Sequence, residues 1–209
     1  MTASTNERLL EWAREIQALA QTGHEYARDE FQRARYARLT EIAGEMISES
    51  TGFERAPIVK AFRSQVGYAT PKVDVRAAVF RNGKLLLVRE VADGGWTMPG
   101  GWADVGDAPS EAAEREVLEE AGFQVRAAAV IGVYDANRTE PMALFHAFKI
   151  VFRCELIGGE ARPSMETSEV AFFARDEIPM ALSGERTRLR HIADAFDHLA
   201  QPGRSTVFD

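Results

Sequence analysis

"GGWADVGDAPSEAAEREVLEEAGF", residues 100–123, sets seven carboxylates against one arginine. Like charges repel, so this stretch needs a counter-charge. Pro109 and Gly122 bracket a helix, and Asp107 and Ser110 are both candidate N-caps. At roughly 100° per residue, Glu116, Glu119 and Glu120 share one arc of that helix. The apolar stripe Ala113, Val117, Ala121 runs directly beside the arc, which puts Glu120 at the edge of the core. Ala112 and Ala113, one turn earlier, leave room beside the acids. Carboxylates gathered in such a place favour protonation unless a cation joins them, and hard oxygen ligands suit Mg²⁺ or Mn²⁺. Just upstream, Gly94-Gly95 and Pro99-Gly100-Gly101 surround the short strand Trp96-Thr97-Met98. The bare backbone of Gly100 and Gly101 lets a phosphate or metal approach closely, and Gly101 has a carbonyl to lend.

Outward from this stretch the pattern is α plus β, with a helix inserted between strands. DVRAAVF and KLLLVRE flank Asn82-Gly83, a strong hairpin signal. Further β-rich runs lie at 125–134, 143–155 and 169–173, and a closing helix at 185–200. Towards the N-terminus, Ser4 with Glu7 reads as a capping box before Leu9, Trp12, Ala13, Ile16 and Leu19, with Gly23 as the stop. Phe31, Arg35, Leu39, Ile42 and Met46 mark a second helical face. The stretch 52–71 reads as a connection. The expected organisation is a helical domain over 1–62, a linker over 63–72 and a main domain over 73–209.

Composition excludes several classes. The 209 residues carry 25 basic and 32 acidic side chains, net −7. Residues 1–70 hold nine basic and ten acidic of these, so most of the net charge belongs to the remainder. No basic stripe is available to neutralise nucleic-acid phosphates, so no nucleic-acid partner is expected. The longest apolar run, 127–133, falls far short of the ~18 residues of a membrane span, and the N-terminus has no basic region before an apolar one. The expected location is therefore cytoplasmic, with no membrane partner. Cys154, the single cysteine, reads as a small core residue. The histidines lack ligand spacing and receive no role.

Gly101, Asp107 and the run Arg115-Glu116-Val117-Leu118-Glu119-Glu120-Ala121-Gly122-Phe123 resemble the Nudix box, G-x5-E-x7-R-E-U-x-E-E-x-G-U. One position departs, Asp107 standing where Glu is usual. The resemblance implies an αβα sandwich around a mixed sheet over 73–209 and hydrolysis of a nucleoside diphosphate linked to a further moiety. It implies metal binding by Glu116, Glu119 and Glu120, with Arg115 orienting them and Asp107 in support. EYARDEFQRARYARLTEIAGEM (25–46) and ETSEVAFFARDEIP (166–179) look like the subfamily with a small N-terminal helical domain, which includes CDP-choline and ADP-ribose pyrophosphatases.

The proton of the attacking water then needs an acceptor, either Glu120 or a loop acid, Glu166 or preferably Glu169. Tyr134, Asp135, Asn137 and Arg138, at a strand end after the catalytic helix, are candidate walls for the nucleotide. Tyr134 can stack on a base or pack in the core; Asp135 can accept from a sugar hydroxyl or an amine, or cap a turn. The N-terminal helices expose more apolar surface than they bury against each other, which predicts a homodimer through the helical domain. The competing reading is a catalytically weak, Nudix-like ligand sensor or interaction protein; intact box carboxylates and the lack of a basic surface argue against it.

Overall fold

The computed structural model describes residues 5–138, 144–184 and 186–209. The expectations at Ser4, Ala143 and Glu185, and that for the Glu7 side chain, lie outside the described residues. The chain forms two compact units, Met1–Lys72 with Ala136–His146, and Val73–Asp135 with Ala147–Asp209. Residues 136–146, expected within the main domain, thus group with the helices.

In the first unit α1 spans Thr5–Glu25, α2 Glu30–Thr51 and α3 Arg55–Arg63. Asp29 caps α2 by accepting from the Gln32 backbone N–H at 2.7 Å, and Gly52, at φ 75°, ends it in the left-handed conformation. Gly23 does not stop α1. It lies inside the helix, where any Cβ would run into the Tyr36 ring of α2, so the glycine serves close packing. The connection 52–71 contains a helix that its short apolar set concealed: Ile58, Val59 and Phe62 are all buried on α3. Ala13, Ala43, Ile47, Ile58 and Phe62 form the core of this unit, with Leu144 and Phe145 packed against it.

The second unit is a mixed sheet between helices. Its strands are β1 (Lys72–Arg81), β2 (Lys84–Glu90), β3 (Trp96–Thr97), β4 (Phe123–Asp135), β5 (Ala147–Gly159), β6 (Thr167–Phe173) and β7 (Val207–Phe208). The order is β3-β2-β1-β5-β4-β7, with β6 also paired to β2. β7 runs parallel to β4, and β2 is antiparallel to β1, β3 and β6. Asn82 and Gly83, at φ 52° and 75°, make the two-residue turn of the β1–β2 hairpin with the positive angles such turns demand.

Strand alternation explains the layers. Val75, Ala77 and Val79 of β1 and Leu86 and Val88 of β2 share one cluster with Ala112, Ala113, Val117 and Ala121 of α4 (Pro109–Ala121). Ala78, Leu85 and Leu87 point the other way and pack with Ile192, Ala195 and Phe196 of α5 (Leu189–Ala200). The two helices therefore cover opposite faces, the expected αβα sandwich.

Candidate active site

The loop before α4 is held by β1 like an added strand. Val75 N–H donates to Gly101 O at 2.8 Å, Ala77 N–H to Pro99 O at 2.9 Å, and Ala103 N–H to Val73 O at 3.0 Å. This brings Gly100 so close to β1 that a Cβ there would strike the Val75 carbonyl, and its φ of 145° also favours glycine. Thr187 fixes the loop from another side, its hydroxyl lying 2.8 Å from Thr97 Oγ1 and accepting from Met98 N–H at 3.1 Å.

The outcome is one short contact: Gly100 N–H donates to Glu120 Oε2 at 3.0 Å. Glu120 is 6% exposed. Burial pushes its carboxyl up to about 8, Glu116 and Glu90 push the same way, and the Gly100 N–H and Arg76 oppose them. Glu116 is also raised, chiefly by burial, with Glu119 adding repulsion and Arg115 resisting. From the far end of α4, Thr167 Oγ1 donates to the Glu120 carbonyl at 2.6 Å.

Arg115 is the counter-charge that the acidic stretch requires. Its Nη1 meets Glu116 at 2.9 Å and Glu119 at 3.1 Å, and its Nε and Nη2 lie 3.4 Å from Asp107 and Asp104. Asp107 supports Arg115 as expected but caps nothing. Ala108 is the N-cap residue, with no side-chain acceptor; Glu111 reaches back to the Ala108 N–H at 3.1 Å, and Ser110 lies within the first turn.

The three carboxylates expected to bind a metal take different directions. Among the described residues no three Asp, Glu, His or Cys side chains gather on one point. Glu119 turns outward to Arg115 with its side chain 58% exposed, whereas Glu116 lies over Gly101. Glu116 and Glu120 remain as two desolvated, mutually repelling carboxylates, a donor set whose chemistry fits a divalent cation. The Gly101 carbonyl keeps one lone pair beyond its bond to Val75.

Other expected site residues stand elsewhere. Tyr134 is 1% exposed in the α5-facing core and donates to Asp194 at 3.0 Å, so it offers no face to a base. The alternation that buried its ring also made it resemble a wall residue at a strand end. Glu169 sits on the surface of the β2–β6 pair, engaged by Arg89 at 2.6 Å. Asp135 ends β4, where its N–H donates to Asp209 at 2.9 Å. Arg138 is exposed and belongs to the helical unit.

Sequence reading missed a buried polar string beside Glu120. Arg76 grips Asp74 with two bonds, 3.0 and 2.8 Å, and reaches the Met98 carbonyl at 3.3 Å, and Lys149 donates to Asp74 at 2.6 Å. Against burial, which alone would raise it, Arg76 and Lys149 hold the Asp74 carboxyl low. Burial brings Lys149 down to about 8. Asp74 and Arg76 at alternate positions of an apolar strand were the available signal. Glu90, 5% exposed and raised mainly by burial, stands 3.4 Å from Arg186.

A model of the Nudix domain matches residues 70–196, more than half the chain, and one described as the UDP-X-like N-terminal oligomerisation domain matches residues 7–62. The chain belongs to the Nudix family. It is 35% identical to "Putative ADP-ribose pyrophosphatase YjhB" of Bacillus subtilis over 96% of both chains. Among solved structures, this Nudix protein is similar to a UDP-X diphosphatase (29% identity, TM-score 0.63) across 99% of this chain and all of that one. It is similar to an ADP-ribose pyrophosphatase from Streptococcus suis (36% identity, TM-score 0.62) across 67% of this chain and all of that one. The chain is thus a Nudix hydrolase of the pyrophosphatase type.

The raised Glu120 carboxyl has a consequence for stability. A folded-state value of about 8 against 4.5 for the free group means the folded protein binds the extra proton between those values, so its stability falls as pH rises through them. In metal-free protein, Glu120→Gln removes that loss. Thermal unfolding is expected to show the variant gaining on the parent progressively from pH 5 to pH 8, and saturating Mg²⁺ closing the gap. A gap that does not change with pH contradicts the assignment.

Proposed function

We propose that this enzyme hydrolyses the diphosphate of a nucleoside diphosphate joined to a small group, releasing a nucleoside monophosphate and the phosphorylated remainder. The observation that carries the reading is the buried Glu120 carboxylate on the Gly100 N–H, beside Glu116. In this account Glu116 and Glu120 hold Mg²⁺ or Mn²⁺ with help from the Gly101 carbonyl. When bound, the cation offsets charge on the pyrophosphate oxygens and lowers the pKa of the attacking water.

The chain's own residues then have distinct tasks. Gly100 orients Glu120 through Oε2, so Oε1 is the oxygen that serves the cation or takes the proton of the water. Arg115 fixes Glu116 and keeps Glu119 in reserve at the rim. Arg76 sets the loop through the Met98 carbonyl and places a buried positive charge near Glu120. Of the substrates that the resemblance implied, ADP-ribose is supported by the names of similar proteins, and these add UDP-X; CDP-choline has no such support.

Steady-state kcat/KM values for ADP-ribose, a UDP-sugar, CDP-choline and a nucleoside triphosphate, with Mg²⁺, test the class. A diphosphate ester should lead, and Glu120→Gln should lower turnover on it by at least ~100-fold while the protein stays folded. A triphosphate preferred about tenfold over every diphosphate ester, or near-normal turnover in the variant, overturns the reading.

The same reading includes a homodimer formed through residues 1–62. Trp12 and Leu19, 50% and 61% exposed and seven residues apart on α1, together with Phe31 at 79% on α2, offer apolar surface. The oligomerisation domain matched over 7–62 supports it. Light scattering of the full chain at micromolar concentration is expected to give twice the chain mass of 23.2 kDa. A monomer contradicts it.

A further inference from the structure

The cations beside Glu116 and Glu120 are largely spent. Arg76 is buried and gives its guanidinium to Asp74, Thr97 and the Met98 carbonyl. Lys149 is spent on Asp74, and Arg115 on its cluster of acids. Arg186 differs. Its side chain is partly exposed, and its one hydrogen bond among the described residues runs from Nη1 to Ser183 Oγ at 3.2 Å. Its ion pairs are long, 3.4 Å from Nε to Glu90 and 3.6 Å from Nη1 to Asp93, so most of its donors are unspent.

The catalytic loop itself fixes the segment that carries Arg186. Trp96 N–H donates to Ala181 O at 2.8 Å, Ser183 N–H to Trp96 O at 2.9 Å and Thr187 N–H to Ser183 O at 2.8 Å, while the Thr187 hydroxyl accepts from Met98 N–H. Gly95 approaches Ser183 so closely that a Cβ would strike its backbone. Arg186 is thus tied to the stretch that leads into Gly100. Glu90 gives the direction. It stands opposite Thr167 in the β2–β6 register, cross-strand partners share a face, and the Thr167 hydroxyl bonds the Glu120 carbonyl. The charge of Glu90 also acts on Glu120. A guanidinium paired with Glu90 therefore stands on the α4 side of the sheet, towards the Glu120 end of that helix.

We propose that Arg186 is a substrate-binding residue that exchanges its long pairs with Glu90 and Asp93 for oxygens of the substrate diphosphate. A planar guanidinium with donors to spare matches phosphate oxygens by parallel hydrogen bonds. A diphosphate that enters among Glu116, Glu120 and the acids around Arg115 meets like charge, and a cation with open donors offsets it. Glu90 and Asp93 hold the guanidinium in readiness without satisfying it, which keeps the cost of letting it go small. The identity of the ligand rests on the proposed function, in that the substrate carries a diphosphate.

Steady-state kinetics of the full chain with Mg²⁺ test this on whichever of ADP-ribose, a UDP-sugar, CDP-choline and a nucleoside triphosphate the parent turns over best, since all four contain linked phosphates. Arg186→Gln should raise KM at least ~10-fold, by more than it lowers kcat, with the parental unfolding temperature retained. Arg186→Lys, which keeps the charge and loses the fork, should fall between and covers the case where the glutamine variant fails to fold. Glu90→Gln, which removes the competitor for the guanidinium, should lower KM at least ~2-fold, and that gain should vanish when Arg186→Gln is also present. A purely structural pair would give losses in both single variants instead. Parental KM in both Arg186 variants, a loss confined to kcat, or a Glu90→Gln effect that does not depend on Arg186 overturns the assignment. Activity on none of the four overturns it together with the proposed function. A triphosphate in the lead overturns the proposed substrate class alone, and the Arg186 comparison then runs on that triphosphate.

Discussion

The hydrogen bond from Gly100 N–H to Glu120 Oε2 organises the catalytic unit. A buried carboxylate is costly unless something answers its charge, and a single backbone donor answers it only in part. The fold must therefore bring a loop N–H to the acid and hold both ends still. β1 fixes the loop by pairing with Pro99, Gly101 and Ala103, and it packs so tightly that only glycine fits at position 100. The apolar stripe of α4 fixes the helix against the same strand, and Thr167 ties down the carbonyl of Glu120 itself. With both ends pinned, the carboxylate stays dry and close to Glu116. In the proposed account a divalent cation is what answers its charge.

The surrounding charges fall into two groups. At the rim, Arg115 gathers Asp104, Asp107, Glu116 and Glu119, which is how seven acids and one base coexist in so short a stretch. These pairs are partly solvated, so each contributes little to stability, and their value is geometric. Deeper in, Arg76, Asp74 and Lys149 form a buried string whose members satisfy one another, and Arg76 extends the positive field towards Glu120 and Glu90. Removing one member would leave an unanswered buried charge, a far larger penalty.

Much of this was legible in the sequence because it is local. The spacing from Gly101 to Phe123, the Gly122 stop, the Asn82-Gly83 turn and the inserted helix all follow from patterns a few residues long. What escaped depends on distant segments meeting. Lys149 and Asp74 are 75 positions apart, and no periodicity announces that they pair. Tyr134 sits in a strand whose alternation does not say which face a helix will cover, and α5 decided it. Gly23 reads as a stop by residue type, yet Tyr36 of the next helix makes it a contact point. Asp107 reads as a cap until the guanidinium of Arg115, eight residues on, claims it. Glu119 shares the helix arc with Glu116 and Glu120, but its rotamer follows Arg115.

The central claim is that Glu120 is held ready for a cation, and its carboxyl carbon reports this directly. Carbon-detected NMR titration of glutamate-labelled protein, with the Glu120 resonance assigned by its absence in Glu120→Gln, follows that one group. In metal-free protein it is predicted to titrate at about 8, and with saturating Mg²⁺ to stay ionised well below that pH. A Glu120 that titrates at its ordinary value of 4.5 and ignores Mg²⁺ contradicts the account.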